Sequence, residues 1–325
     1  MQTICSPFLK NRSTTMSKVT VAIPTYNRKE YLRECIESVL AQTFQDFTIA
    51  VFDNCSDYDV QAFLDGFNDS RVVLFPSAVN LGTYNRIFVY PFDSEYAVIF
   101  HDDDVMHPEM LEREVAAMDA HPELAWVGTG LRFIKDNASM RNFKDIKHAD
   151  VFIYDAPGIV RLILKGFNLC YGSVMYRAVL IEPMDSFTPA YSKWADRPYL
   201  VSLSKKGKAG ILKERLVNYR VHPGQDSQAV APDSAQYAIN LLLFYKKCLH
   251  DLQIASDRRL FYAYVVNSLV PAAIASSRTV AELKRFLEPH FRQNLVKLRY
   301  FNARGTARSL RALMRIVRKK LPWKN

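Results

Sequence analysis

Three consecutive carboxylates, Asp102, Asp103 and Asp104, stand out in this chain of 325 residues as a group that could do chemistry. They follow the apolar run EYAVIF and a single histidine. Neighbouring carboxylates repel one another, and a hard divalent cation relieves that repulsion, because Mg²⁺ binds one or two carboxylates together with substrate phosphates. A solvated acidic turn before a helix at Pro108 is the alternative, and the triplet alone does not decide between them.

Two further polar clusters also follow apolar runs. The run KVTVAI leads into Pro24, Thr25, Tyr26 and Asn27, and the run FTIAVF leads into a cluster that begins at Asp53. Ligands of open α/β sheets bind beyond the carboxyl ends of the strands. With three such clusters, the sequence predicts a site for a nucleotide and a metal ion.

The elements that must position these clusters alternate between two patterns. Apolar runs rich in β-branched residues predict strands at residues 18–24, 47–52, 71–75 and 95–100. Helical spacing and helix-start residues predict helices at residues 28–42, 57–67 and 80–90 and from His107 onward. This alternation predicts parallel β-α-β units in a three-layer α/β domain.

The alternation becomes less regular after Pro122. Strand patterns occur at residues 124–133, 170–176 and 209–219, and helical patterns at residues 157–164 and 196–205. Residues 136–150 are polar and predicted to form a loop. After a polar boundary at residues 222–232 the chain is predicted to be helical, at residues 235–252, 259–274 and 280–287.

The net charge of +10 is concentrated near the C-terminus. Residues 278–325 carry 14 Lys and Arg against two Glu, which leaves the rest of the chain near neutral. A helix over residues 304–325 would have arginines on one side, apolar side chains on the other and Trp323 at its end. Such a helix suits an anionic membrane surface or packs its apolar side on the domain, and both alternatives stay open. Nucleic acid is not favoured, because the near-neutral remainder contains no recognisable binding module.

The composition is that of an ordinary globular protein, with 49% hydrophobic and 23% charged residues. No apolar stretch is long enough to span a membrane. Residues 1–17 lack the apolar core of a signal peptide and are predicted to be a disordered leader, with Met16 as an alternative start. Five scattered cysteines without a CxxC pair argue against a zinc knuckle or a disulfide framework and favour a cytoplasmic setting.

Six motifs, taken in order, resemble the family 2 glycosyltransferases with the GT-A fold. They are VAIPTYNR, VFDNCSD, NLGTYNR, VIFHDDDVMHPEML, WADRPYLVSLSKKG and VNYRVHPGQDS, and they lie within residues 18–227. The resemblance implies a Rossmann-like, mostly parallel sheet in a domain at residues 18–227, followed by a helical C-terminal region at residues 228–325. The nucleotide-binding half of the domain would be residues 18–105, and the acceptor half residues 106–227.

The resemblance also implies a role for each cluster. The nucleotide-sugar donor would contact residues that share these motifs: Pro24, Tyr26, Asn27, Asp53, Asn80, Asn85, Asp102 and Arg220. Asp53 would accept a hydrogen bond from the base, since an ionised carboxylate only accepts. Mn²⁺ or Mg²⁺ would bind Asp103, with Asp104 and His222 as further candidate ligands. Asp196 would be the general base.

Several of these residues have ordinary alternatives. Asp196 could cap its helix, Trp194 could be a core aromatic residue instead of a platform for the acceptor, and His222 could be a surface or core histidine. Arg220 could pair with a surface acid instead of phosphate. Ser173, in the CYGS segment, is a candidate for the acceptor wall. The family's acceptor motif is often Glu-Asp, and here alanine replaces the first carboxylate.

The sequence thus predicts an inverting, metal-dependent glycosyltransferase. It would move a sugar from a nucleotide sugar, with UDP favoured, to a glycan or a lipid-linked saccharide. Its expected setting is cell-envelope polysaccharide synthesis at the cytoplasmic face of the inner membrane, to which it would bind peripherally. A catalytically inactive nucleotide-sugar-binding or membrane adaptor protein is the alternative, and a phosphohydrolase is a weaker one, because the acidic cluster follows the fourth strand.

Overall fold

A computed structural model of the chain describes residues 16–82, 92–135, 139–143, 150–167, 169–183, 187–191, 194–225 and 234–269. The strands are β1 (Val19–Thr25), β2 (Phe47–Asp53), β3 (Val72–Pro76), β4 (Tyr96–Ile99), β5 (Val105–Met106), β6 (Leu124–Lys135), β7 (Phe152–Tyr154), β8 (Val174–Arg177) and β9 (Lys208–Val221). The α-helices are α1 (Lys29–Leu40), α2 (Val60–Asp65), α3 (Met110–Ala120), α4 (Ala156–Leu164), α5 (Thr188–Tyr191), α6 (Asp196–Leu203), α7 (Ser234–Asp251) and α8 (Arg258–Tyr264).

The strands form one mixed sheet in the described part of the chain. Their order is β3-β2-β1-β4-β8-β6-β9-β5, and β7 also pairs with β9. The half formed by β1 to β4 is parallel, as predicted. In the other half only β6 and β9 pair in parallel, while β8 is antiparallel to β4 and β6, and β5 and β7 are antiparallel to β9.

Side chains of the central strands are buried on both faces of the sheet. Val21 and Ile23 pack in the layer that contains α1, α2 and α3. Ala22 and Phe52 pack in the layer that contains α4, α6, α7 and α8. Burial on both faces explains why these strands are nearly continuous apolar runs in the sequence. The predicted three-layer α/β architecture is therefore confirmed.

The elements that the sequence did not predict are short. Strands β5 and β7 and helix α5 contain two to four residues, too few to show a period. Residues 170–176, predicted as one strand, contain a 3₁₀ turn (Tyr171–Ser173) before β8. Within residues 259–274, α8 continues as a π-helical segment, Val265–Leu269.

Other predictions fall on residues outside the described ranges. These are most of the leader, most of the helix at residues 80–90, the helix at residues 280–287 and the basic tail at residues 304–325. Among the described helices, none combines the length and apolarity needed to cross a membrane.

Candidate functional site

The acidic turn, residues 101–104, connects β4 to β5 at the carboxyl edge of the sheet. The backbone NH of Asp104 donates to the carbonyl of His101 at 3.4 Å. Asp102, Asp103 and Asp104 are all buried. The turn therefore concentrates three carboxylates at the edge of the sheet, where the polar ends of β1 and β2 also lie.

Two residues from the end of β1 hold Asp102. The hydroxyl of Thr25 donates to Asp102 Oδ2 at 2.9 Å, and Arg28 Nη1 donates to Oδ1 at 3.0 Å. Burial raises the pKa of Asp102, the charge of Arg28 lowers it, and the charge of Asp103 raises it again, which gives a pKa of about 6. This carboxylate is therefore held in a fixed position by a cation and a hydroxyl.

Asp103 lies between the side chains of His222 and Arg28. Its Oδ2 atom is 2.9 Å from His222 Nε2 and 3.3 Å from Arg28 Nη1. Arg28 also donates to the carbonyl of Gly224 at 2.9 Å. Arg28 therefore connects the end of β1, the acidic turn and the segment that follows β9.

Asp104 interacts with His101 and with strand β9. Its Oδ1 accepts from the backbone NH of Arg220 at 2.9 Å, and its Oδ2 lies 3.3 Å from His101 Nδ1. Burial raises the pKa of Asp104. For His101, burial lowers the pKa, but the hydrogen bond and charge of Asp104 and the charges of Asp103 and Asp196 outweigh it and raise the pKa to about 9.

Three of these side chains can hold a metal ion together. One ligand atom from each of His101, Asp103 and Asp104 lies within 4.8 Å of the others. Carboxylate oxygens with one imidazole nitrogen suit Mn²⁺ or a similar divalent cation. The sequence predicted Asp103, Asp104 and His222 as ligands, and the structure adds His101 to this group. His222 lies directly beside it, through its contact with Asp103.

Arg220 lies behind the acidic turn and is only 3% exposed. Its Nε donates to the carbonyl of Asp103 at 2.8 Å, and its Nη2 donates to Glu34 of helix α1. The guanidinium also lies over the ring of Tyr31, 4.5 Å from the ring centre. Arg220 thus ties α1 to the acidic turn, and its guanidinium is occupied by these contacts.

Asp53 ends strand β2 and is buried beside Thr25, its partner in the β1–β2 register. Both carboxylate oxygens accept from the backbone NH of Ser56 at 3.2 Å. The next side chain, Asn54, accepts from the NH of Leu81 at 2.8 Å and donates to Asn80 Oδ1 at 3.1 Å. These bonds place Asn80 next to the Asp53 cluster.

Asn27 connects the ends of β1 and β2. Its NH donates to the Ser56 hydroxyl at 2.9 Å, and its Oδ1 accepts from the NH of Asp57 at 2.8 Å. Its φ of 52° is in the left-handed region, where asparagine is one of the few tolerated residues. Pro24 is part of β1, and the ring of Tyr26 is 45% exposed beside it.

On the other side of the acidic turn, Asp196 is the first residue of α6 and is partly exposed. The alternative of an N-cap role is wrong, because the cap position is occupied by Ala195 and Asp196 is the first helical residue. Burial raises the pKa of Asp196, while the charges of Arg197 and His101 lower it. The charges of Asp196 and His101 act on each other, so Asp196 is within electrostatic range of the acidic turn.

Two predicted acceptor residues lie deeper. Trp194 is half-buried and packs against the core beneath the sheet. Ser173 is fully buried, and its hydroxyl donates to the carbonyl of Cys170 at 3.0 Å. Asn85 lies outside the described residues.

The structure therefore brings together predicted residues that are far apart in the sequence: Asp102, Asp103, Asp104, Asp196, Arg220 and His222. The sequence analysis did not single out His101, Arg28 or the Thr25 hydroxyl. His101 directly precedes the triplet and Arg28 directly follows Asn27, so their position next to predicted residues was the available signal.

Comparison with known proteins gives a consistent result. The family described as Glycosyl transferase family 2 matches residues 20–182. The putative glycosyltransferase EpsE of Bacillus subtilis is 25% identical over 268 residues, which are 79% of this chain and 91% of the relative. An uncharacterized glycosyltransferase of Haemophilus influenzae is 23% identical over 263 residues, which are 77% and 81% of the two chains.

Solved structures share the fold at low sequence identity. The crystal structure of residues 1–349 of S. aureus TarS in complex with UDP-GlcNAc matches with a TM-score of 0.63 and 15% identity, over 94% of this chain and 93% of that one. The mannosyltransferase PcManGT from Pyrobaculum calidifontis, in complex with GDP-Man and Mn²⁺, matches with a TM-score of 0.53 and 15% identity, over 95% and 89%.

Proposed function

This chain belongs to glycosyl transferase family 2, and from that premise we propose that it moves a sugar, with inversion, from a nucleoside-diphosphate sugar to a hydroxyl of a glycan or lipid-linked saccharide. The observation that carries the proposal is the convergence of the acidic turn and Asp196. His101 lies 3.3 Å from Asp104 and interacts electrostatically with Asp196. We propose that the turn holds the diphosphate and that the start of α6 holds the acceptor hydroxyl.

The donor is proposed to bind along the ends of β1 and β2. The buried carboxylate of Asp53 accepts a hydrogen bond from the base, and the exposed ring of Tyr26 borders the nucleotide. Pro24, Asn27, Asn80 and Asn85 complete this side, and Asp102 binds the ribose or the sugar. We propose UDP as the nucleotide; TarS binds UDP-GlcNAc and PcManGT binds GDP-Man, so both bases need testing.

The acidic turn is proposed to hold Mn²⁺ or Mg²⁺ through Asp103 and Asp104, with His101 or His222 as the nitrogen ligand. A divalent cation there supplies charge neutralisation for the departing diphosphate. Arg220 fixes the turn from behind, since its side chain bonds to Asp103 and its backbone to Asp104. Arg28 balances the charge of Asp102 and Asp103.

Asp196 is proposed to take the proton of the acceptor hydroxyl. Burial raises its pKa, which makes the carboxylate a better proton acceptor than an ordinary surface aspartate. The hydroxyl oxygen attacks the anomeric carbon on the face opposite the diphosphate, which inverts that centre. Trp194 and Ser173 support the acceptor wall from within the core. We further propose that residues 304–325 bring the enzyme to the cytoplasmic face of the membrane.

Calorimetric titration of the full chain with UDP, GDP and dTDP, each with and without Mn²⁺, tests this function. We expect Mn²⁺-dependent binding of one nucleotide, which is lost in Asp103→Ala. The matched control is Asp69→Ala, which removes a surface carboxylate that pairs with Arg71 at 2.7 Å. Absence of binding under every condition would contradict the proposal and favour an adaptor or a phosphohydrolase.

A further inference from the structure

Phe133, on strand β6, is a large apolar side chain exposed to solvent. It is 64% exposed, whereas the earlier positions of the same strand, Leu124 to Thr129, are buried. A single exposed phenylalanine is ordinary on a protein surface and needs no explanation. What distinguishes Phe133 is the group of rings around it.

Phe133 and Tyr219 form an aromatic pair across two neighbouring strands. They are direct partners in the parallel β6–β9 register, and their ring centres are 5.3 Å apart at an angle of 63°. Tyr219 is itself partly exposed. Its ring centre lies 6.5 Å from that of His101 in the acidic turn. The pair thus continues the site away from the acidic turn along the sheet.

The neighbouring positions show which face of the sheet this pair occupies. Ile134 packs with Val105 and Met140, and Arg220 lies over Tyr31 of helix α1. Because successive side chains of a strand point to opposite faces, Phe133 and Tyr219 lie on the face opposite that of Ile134 and Arg220.

We propose that Phe133 and Tyr219 form a saccharide subsite that binds the apolar face of one pyranose ring of the acceptor. This inference rests on the proposed function and deepens it. The pair lies beyond the acidic turn, with the Tyr219 ring 6.5 Å from that of His101, so the ring bound there is a neighbour of the ring that carries the reacting hydroxyl. The subsite therefore selects acceptors that have at least one sugar beyond the reacting residue.

The size and surroundings of the pair favour a sugar over a lipid chain. The apolar surface consists of two rings, with the exposed Lys135 two positions farther along β6 and His101 on the other side. A pyranose has an apolar C–H face that packs on an aromatic ring and a rim of hydroxyls that polar neighbours can bind. A lipid chain would need a continuous apolar surface, which this short pair, flanked by charge, does not provide.

Saturation-transfer NMR on the full chain tests the subsite. The probes are methyl β-glucopyranoside, methyl β-galactopyranoside and diacetylchitobiose, with octyl β-glucopyranoside to compare ring protons with alkyl protons. We expect saturation of the pyranose C–H protons of at least one probe. Phe133→Ala should weaken that binding about ten-fold, equivalent to about 1.4 kcal/mol, while Phe133→Tyr retains it.

The matched control is Phe152→Ala. Phe152 is also an exposed phenylalanine on a strand, at 37% exposure, but its ring lies against Lys213 on another part of the sheet. The Phe152→Ala variant should bind the probes with the same affinity as the unchanged protein. The inference is overturned if no pyranoside is saturated, if Phe133→Ala binds as well as Phe152→Ala, or if saturation falls on the octyl chain alone.

Nucleotide titration of the same variants separates this inference from the proposed function. If the function is right and the subsite is wrong, the unchanged protein binds a nucleotide with Mn²⁺ but Phe133→Ala does not alter saccharide binding. If saccharide binding depends on Phe133 and no nucleotide binds, the subsite stands and the proposed transfer function fails.

Discussion

The acidic turn and helix α3 both bury carboxylates, but they do so in opposite ways. In the turn, Asp102 and Asp103 lie within hydrogen-bonding distance of Arg28, and Asp103 also contacts His222. In α3, Glu114 is fully buried, and neither of its oxygens has a hydrogen-bond partner among the described residues. The adjacent Arg113 donates to Glu214 at 2.8 Å instead.

This difference in bonding partners determines whether a buried carboxylate is charged or neutral. A buried carboxylate is kept ionised by cations and hydrogen bonds, and without them it takes up a proton. Burial alone raises the pKa of Glu114 well above its ordinary value, so we expect this side chain to be neutral in the folded protein. The acidic turn is thus equipped to present charge, and Glu114 is not. Asp196 is intermediate, since it is partly exposed and its pKa is raised.

The largest expected effect concerns this intermediate group. Asp196→Asn keeps the shape of the side chain but cannot accept a proton, so we expect kcat to fall about 1,000-fold. Release of nucleoside diphosphate from the nucleotide sugar, in the presence of a saccharide acceptor, measures this loss. Nucleotide binding should survive, because Asp196 lies at the acceptor side.

Glu112→Gln is the control for that experiment. Glu112 is an exposed carboxylate in the first turn of α3 that accepts from Thr43 at 2.6 Å. The kcat of the Glu112→Gln variant should equal that of the unchanged protein. If Asp196→Asn also loses nucleotide binding, Asp196 has a structural role and is not the general base.

The cations of the acidic turn are expected to matter for stability. Arg220→Met removes the bonds of the guanidinium to the Asp103 carbonyl and to Glu34 and should lower the free energy of unfolding by about 3 kcal/mol. Urea denaturation at neutral pH measures this. Arg161→Met, which breaks an ion pair with Asp257 on a partly exposed surface, should cost less than about 1 kcal/mol. Equal losses for both variants would remove the distinction between the turn and the surface.

The last prediction concerns Glu114 and depends on pH. Its pKa is higher in the folded than in the unfolded chain, so the folded state binds the proton more tightly. The stabilisation is complete below the unfolded pKa near 4.5 and is lost as the pH rises toward the folded pKa, with a slope of up to about 1.4 kcal/mol per pH unit. Glu114→Gln should abolish this slope in denaturation curves recorded between about pH 5 and pH 8. Glu112→Gln should retain it, and an unchanged slope in Glu114→Gln would show that Glu114 is ionised.

The sequence predicted the fold well where burial imposes a pattern. Strands β1, β2 and β4 begin and end within one or two residues of their predicted limits, because they are apolar on both faces. It also predicted that the ends of β1, β2 and β4 lie together, which follows from their parallel pairing. Short elements such as β5 carry no such pattern, and their place depends on contacts with β9.

Side-chain partners in the site were harder to predict. Arg220 was expected to contact either phosphate or a surface acid, and it pairs with the partly exposed Glu34, 186 positions earlier in the chain. Its burial against Tyr31, 189 positions earlier, was not predicted. The choice between His101 and His222 beside the carboxylates likewise depends on side-chain directions across β4 and β9. Neither spacing nor composition encodes these distances.

The bond between Arg220 and Asp104 also determines when the site can form during protein synthesis. The two residues are 116 positions apart, and the contact of Arg220 with Glu34 spans 186. At ribosomal rates of about 5–20 residues per second, β9 is synthesised about ten seconds after the acidic turn. A nascent chain that ends before residue 220 has all three aspartates and Arg28 but lacks the bonds that Arg220 and His222 make to Asp103 and Asp104. Nucleotide and metal affinity are therefore expected to arise late in synthesis, after β9 has joined the sheet.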